Sequence, residues 1–223
     1  PPAVRILVTR PEEHAEELAA RLRALGHEPV ACPLVRLEEI GPETVSLDGY
    51  DWVVVTSKTG ALHLARRGRG AMPRVAAIGP GTAAMLREHG IEPALVPAVS
   101  TQDGIVEAMP RPAGRVLFAG AEAARRVVVD ELGADFVALY RTVPAPPEGG
   151  LPPGDIVIAA SPSAARVLAP AWLALPAAER PRVVSIGPVT SEAARAAGLP
   201  VDVEAAHFDL DGLVAAILEA AAL

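Results

Sequence analysis

Asp51-Trp-Val-Val-Val-Thr-Ser57 and Asp155-Ile-Val-Ile-Ala-Ala-Ser161 are two copies of one phrase. Each has an acidic residue, an unbroken apolar run and a closing small hydroxyl residue. The run does not alternate with polar positions, which is how a strand buried on both faces of a parallel sheet reads. Working outward, Ala77-Ile-Gly-Pro-Gly-Thr82 follows the first copy and Ser185-Ile-Gly-Pro-Val-Thr190 the second. Gly90 then answers Gly198, and Asp103-Gly-Ile105 answers Asp211-Gly-Leu213. The second copy carries a small insertion around Leu173 to Pro181. A repeat of about 105 residues is far too long for a solenoid unit and means two similar α/β domains.

Further strands are predicted at Ile6–Val8, Val75–Ile78, Val116–Phe118, Phe136–Leu139 and Val183–Ile186. Helices are predicted over Glu12–Leu25, Thr82–His89 and Thr190–Ala197, stopped by Gly26, Gly90 and Gly198. Strands alternating with helices imply βαβ units with right-handed crossovers. A weaker correspondence links Arg5–Gly26 with Arg115–Gly133. The chain therefore reads a, b, a′, b′, and the residues leave open whether a pairs with b or with b′. Connections are expected near Arg36–Gly41 and in the Pro/Gly-rich stretch Val143–Gly154.

The 223 residues carry a net charge of -7, with Lys+Arg 20 against Asp+Glu 27. That balance argues against a nucleic-acid partner, and the aromatic content of 3% argues against a stacking platform. Cys32, the only cysteine, is expected to be a buried small hydrophobe. No apolar run approaches the roughly 18–20 residues of a membrane span. Pro1–Arg10 lacks the pattern of a signal peptide, so a cytoplasmic location is expected. The chain starts at Pro1 without Met, so residues ahead of this numbering are expected.

In open α/β sheets ligands bind at the carboxyl ends of the strands. Four turns fall there: Thr56-Ser-Lys-Thr-Gly60, Gly79-Pro-Gly-Thr82, Ser161-Pro-Ser163 and Gly187-Pro-Val-Thr190. Each leads into a helix, whose free N–H groups favour an anion. Their Ser, Thr and Gly residues also suit plain capping and tight turns. Repeated in pairs, they point to a multivalent anion site of Ser57, Lys58, Thr59, Gly79, Gly81, Thr82, Ser161, Ser163, Gly187, Val189 and Thr190.

Nucleophile elbows, Walker loops and the dinucleotide glycine pattern are absent from the sequence. His14, His27, His63, His89 and His207 lack metal-ligand spacing and read as surface residues. Asp209-Leu-Asp211 reads as a helix cap, and Arg66-Arg-Gly-Arg69 as a solvated face. Tyr140 closes an apolar strand, and its phenol, protonated at neutral pH, suits interdomain packing or hydrogen-bond donation to a leaving group.

The ordered set Ile6-Leu-Val-Thr-Arg-Pro11, Asp51–Ser57, Ala77–Thr82, Leu139-Tyr-Arg-Thr142, Ala160–Ser163 and Ser185–Thr190 resembles the uroporphyrinogen-III synthase family over essentially the whole chain. The resemblance implies two doubly wound parallel-sheet, flavodoxin-like domains joined by a two-stranded linker, with a cleft between them. It pairs a with b′, giving residues 1–36 plus 147–223 in one domain and 40–142 in the other, with linkers at 37–39 and 143–146. It implies a cofactor-independent hydro-lyase, monomeric and free of metal. Such an enzyme dehydrates and cyclises hydroxymethylbilane, inverting its last pyrrole ring, to give uroporphyrinogen III for haem synthesis.

Tyr140 matches the family's cleft tyrosine, which assists hydroxyl departure. Thr82, Thr190, Ser57, Ser161 and Ser163 match its cleft turns, and Arg10 is carried over with them. One departure stands out: after the strand Val116–Phe118 the turn Ala119-Gly-Ala121 replaces the Arg that many members place there, and Arg125 and Arg126 come a turn later. Against so acidic a chain, binding of the substrate's acetate and propionate groups must be local, at helix N-termini helped by Arg10, Lys58, Arg141 and Arg166. Two other classes fit the same residues: a hinge-closing, non-catalytic binding module for a small anion, and a regulator that kept the fold but lost the activity.

Overall fold

The computed structural model describes residues 3–223, so expectations resting on Pro1 and Pro2 lie outside the described residues. In chain order the elements begin β1 (Arg5–Val8), α1 (Glu12–Ala24), β2 (Glu28–Ala31), β3 (Val35–Glu39), β4 (Val45–Ser46), β5 (Trp52–Val55) and α2 (Lys58–Arg67). They continue with β6 (Gly68–Arg69), β7 (Arg74–Ala77), α3 (Pro80–Glu88), α4 (Gln102–Ala108), β8 (Val116–Ala121), α5 (Val127–Leu132) and β9 (Asp135–Pro144). The last are β10 (Ile156–Ala159), α6 (Pro162–Leu173), β11 (Arg182–Ser185), α7 (Pro188–Ala196), β12 (Val203–Glu204) and α8 (Leu210–Ala222). None of the described helices is long and apolar enough to cross a membrane.

The chain divides into two compact units, residues 1–37 with 143–223, and residues 38–142. The first holds a five-stranded sheet in the order β12-β11-β10-β1-β2, parallel at every pair. Its strands alternate between two cores. Ile6, Val8, Ile156, Ile158 and Val184 pack with α1 and α8 residues such as Leu18, Leu22, Leu213 and Ile217. Leu7, Val157 and Val183 face the other way, onto Ala164, Ala165, Leu168 and Trp172 of α6 and Ala194 of α7. Helices on both faces explain why these strands are apolar throughout.

A second sheet, in the order β3-β9-β8-β5-β7, lies mainly in the second unit, which also holds a two-stranded ladder of β4 and β6. One face buries Trp52, Val54, Val116 and Phe118 against Ile105 of α4 and Val128 of α5. On α2 and α3 the residues Ala61, Leu64, Ala83 and Leu86 are buried, and the two helices pack together.

The acidic residue that opens each repeated phrase has a structural use. Asp155 accepts a hydrogen bond from the Arg5 amide at 2.7 Å, and Asp51 from the Arg115 amide at 2.8 Å. Each carboxylate ties the start of its strand to a neighbour. Correspondingly β1 pairs with β10, and β8 with β5, so a lies beside b′ and a′ beside b. The helix stops fall as the sequence predicts: Gly26, Gly90 and Gly198 have φ of 83°, 74° and 86°, a region that favours glycine.

Two local expectations are corrected. Ala119–Ala121 is not a turn but the end of β8. Helix α2 comes close to this part of β8: a Cβ on Gly60 would lie 3.4 Å from the Ala119 carbonyl oxygen. Tyr140 does not follow its strand but lies inside β9, which runs on to Pro144 into the predicted connection. Strand β3 occupies most of Arg36–Gly41, and the division between the two units falls within that stretch.

Candidate active site

In the second unit β5 and β7 are parallel neighbours, so the starts of α2 and α3 share one end of the sheet. Ser57 caps α2, its Oγ accepting the Gly60 amide at 2.8 Å. The same oxygen lies 2.8 Å from the Tyr140 hydroxyl. Lys58 and Thr59 open α2. Gly79 caps α3 without a side chain, Gly81 sits in its first turn, and Thr82 is buried rather than presented. Gly81 is a close approach: a Cβ there would lie 3.0 Å from Lys58 Cε.

A β-bulge aims Tyr140. Along β9, Ala138 opposes Gly120, but Tyr140 opposes Ala121, so Leu139 is the extra residue. Leu139 and Tyr140 are both buried. Tyr140 is only 7% exposed. Burial pushes its phenol above the ordinary value, and the hydrogen bond with Ser57 opposes that rise.

The proton count then matters. The Tyr140–Ser57 pair holds two O–H hydrogens, and the bond between them uses one. Because Ser57 Oγ already accepts from Gly60, its geometry is fixed whichever way the pair is oriented. One hydrogen stays available to an outside acceptor, on the phenol or on the serine.

In the first unit α6 and α7 begin at the ends of β10 and β11, again parallel neighbours. Ser161 caps α6, accepting the Ala164 amide at 3.1 Å, and its Oγ lies 3.1 Å from Ser163 Oγ. Gly187 caps α7 without a side chain, Val189 is 70% exposed in its first turn, and Thr190 is buried. Burial pulls the Arg10 guanidinium below its ordinary value, opposed by Glu17. The expected site residues thus gather at strand ends within each unit, but Thr82 and Thr190 are buried, and the Thr190 amide already donates to the Gly187 carbonyl.

A family model described as uroporphyrinogen-III synthase HemD matches residues 16–215. The chain belongs to the uroporphyrinogen-III synthase family. This is a family of enzymes of tetrapyrrole synthesis. Two curated relatives, both named "Putative uroporphyrinogen-III synthase", come from Methanocaldococcus jannaschii and Methanothermobacter thermautotrophicus. The first is 26% identical over 149 residues, 62% of each chain. The second is 30% identical over 113 residues, 46% of this chain and 45% of that relative. The chain thus spans less than two thirds of the length of these relatives. In fold it is similar to the uroporphyrinogen-III synthetase of Helicobacter pylori, with a TM-score of 0.68 at 16% identity, covering 97% of this chain and 99% of that one. It is also similar to a mutant synthase of Thermus thermophilus, with a TM-score of 0.59 at 19% identity and 99% of both chains covered.

Within this uroporphyrinogen-III synthase family member, several residues escape sequence reasoning. His27 and His63 are buried, not surface residues. His63 stacks on Tyr140 with ring centroids 5.7 Å apart and planes 22° from parallel. The buried set Gly60, Ala61, His63 and Leu64 falls at helical spacing, a signal that could have placed His63 inward. Arg67 is not part of a solvated face either. Its guanidinium donates to the carbonyls of Ile40 at 2.6 Å, Leu139 at 2.9 Å and Pro42 at 3.1 Å, fastening α2 to the flanks of Tyr140. Arg126 lies over the Phe136 ring at 3.4 Å and does not replace the Arg missing after β8. Asp209 does cap α8, accepting the Gly212 amide at 2.8 Å, as Thr101 caps α4.

Proposed function

We propose that the chain dehydrates and cyclises hydroxymethylbilane, inverting the last pyrrole ring to give uroporphyrinogen III, as a hydro-lyase without a cofactor. The observation that carries this reading is the pair of buried Tyr140 and half-buried Ser57 with its one spare hydroxyl hydrogen. Loss of the substrate's hydroxyl breaks a C–O bond, and the electron pair leaves on oxygen. That oxygen must take a proton to depart as water. A protonated phenol in a dry setting donates strongly to such developing charge. Because burial disfavours the phenolate, Tyr140 acts chiefly by hydrogen bonding, and any proton it yields returns when the ring carbon loses its own.

The substrate's carboxylates are received by helix starts. Ser57, Lys58, Thr59, Gly79, Gly81 and Thr82 do this in one unit; Arg10, Ser161, Ser163, Gly187, Val189 and Thr190 do it in the other. The same reading takes the protein as a cytoplasmic monomer of two flavodoxin-like domains, residues 1–36 with 147–223 and residues 40–142. Support for that division comes from the strand order of the first unit, two strands followed by three on the far side of β1, which is the flavodoxin order. The test is cyclisation of hydroxymethylbilane with analysis of product isomers. The type III isomer is expected; the spontaneous type I product alone, with folded protein present, would overturn the reading.

A further inference from the structure

Helix α2 reaches Tyr140 at a second point. Ser57, at its start, holds the hydroxyl, and His63, six residues on, lies against the ring. A hydrogen bond to the hydroxyl fixes the tip of a phenol but leaves the ring plane free to rock about it. A flat partner with planes 22° from parallel restrains that motion.

The imidazole is a costly choice for mere filling. His63 is 5% exposed, and its Nδ1 makes no hydrogen bond. Glu39 Oε1 lies 3.4 Å from that nitrogen without the alignment of a hydrogen bond. A buried polar atom left unpaired costs stability that an aliphatic side chain of similar volume would not. Burial also holds the ring neutral, with Arg66 and Arg67 adding to the effect and Glu39 opposing it. What the imidazole offers in return is a rigid plane parallel to the phenol, carried by the helix whose cap engages the phenol hydroxyl.

We propose that His63 is a positioning residue for Tyr140, fixing the ring plane so that the pair's spare hydrogen points at the departing hydroxyl. The inference rests on the reading of Tyr140 as the donor in that reaction. Small misplacements of a reacting group lower rates steeply. His63→Ala is therefore expected to lower kcat about tenfold, with KM changed less than about twofold. His63→Phe keeps a flat face and is expected to retain most of the activity. His63→Leu fills the space without the plane and is expected to fall with His63→Ala.

The deciding experiment is a mutant cycle in the bilane cyclisation assay, with folding of each variant checked by circular dichroism. If His63 acts through Tyr140, adding His63→Ala to Tyr140→Phe costs nothing further. An equal loss in both backgrounds would overturn the proposal, as would wild-type turnover in His63→Ala or equal losses in His63→Phe and His63→Ala. Should His63→Ala not fold, the comparison of His63→Leu with His63→Phe in the same two backgrounds decides. Wild-type turnover in Tyr140→Phe would remove the underlying reading and the inference together, whereas an impaired Tyr140→Phe with fully additive losses removes the inference alone.

Discussion

Ser57 Oγ lies 2.8 Å from the Tyr140 hydroxyl and 2.8 Å from the Gly60 amide, so one side chain starts a helix and seats a phenol. The helix start and the bulged strand are thereby coupled through a single atom. Any displacement of α2 along its axis changes the bond to Tyr140. Arg67 at the other end of α2 limits such displacement by bonding the carbonyls of Ile40, Leu139 and Pro42.

Tyr140→Phe removes the phenol as a donor, leaving only the Ser57 hydroxyl hydrogen, and keeps the ring against His63. Turnover is expected to fall on the order of 100-fold, as for loss of a positioned proton donor. Stability is expected to change by no more than about 1 kcal/mol, the net worth of one hydrogen bond. Rates of type III product formation and urea unfolding, measured on one preparation, check both halves.

Ser57→Ala and Ser161→Ala remove equivalent caps, from α2 and α6. Each is expected to cost about 1 kcal/mol of stability in urea unfolding. Only Ser57 also bonds the phenol, so the kinetics should divide. Ser57→Ala is expected to lower kcat about tenfold, about 1.4 kcal/mol in barrier, while Ser161→Ala raises KM and spares kcat. Equal kinetic effects from both would mean that Ser57 serves α2 alone.

The strands were legible because helices cover both sheet faces, so Val53-Val-Val55 and Ile156-Val-Ile158 carry no polar interruptions. The glycine stops were legible because a positive φ selects that residue at Gly26, Gly90 and Gly198. The bulge at Leu139 was not, because register is a property of two strands, and nothing in β9 alone says that Ala121 will face Tyr140. The turn expected at Ala119-Gly-Ala121 rests on ending the strand at Phe118, where the run of large apolar residues stops. In the structure these residues continue β8. His63 was misread for a related reason: a histidine among Ala and Leu is inward or outward according to what its helix packs on, and β9 is distant in sequence.

Gly104 and Gly212 occupy matching places in the two repeats, just inside α4 and α8. A Cβ on either would lie 2.2 or 2.1 Å from a backbone oxygen, that of Val99 or His207. Neither oxygen can move without opening the capping turn. Gly104→Ala and Gly212→Ala are therefore expected to destabilise by more than about 2 kcal/mol. Gly187→Ala makes a different contact, 2.7 Å from Phe208 Cδ1, and that ring is 67% exposed. It can swing aside, so about 1 kcal/mol or less is expected. Urea unfolding followed by circular dichroism ranks the three, and an equal loss at Gly187 would show that the Phe208 ring is held.

His63 makes stability depend on pH, and the direction follows from its surroundings. Burial lowers its pKa, Arg67 and Arg66 lower it further, and Glu39 raises it. With burial prevailing, the folded value lies below the unfolded value of about 6.5. On acidification the unfolded chain takes up the proton first, so stability present above pH 6.5 or so is lost as pH falls toward the folded value. The stability of wild type relative to His63→Phe should accordingly be constant above about pH 7.5. It should fall below about 6.5, by at most about 1.4 kcal/mol per pH unit. Unfolding free energies of the two proteins across pH 5 to 8 measure this difference directly, since every other titrating group is common to both. A relative stability that rose on acidification would mean that Glu39 outweighs burial and that the imidazole facing Tyr140 is charged.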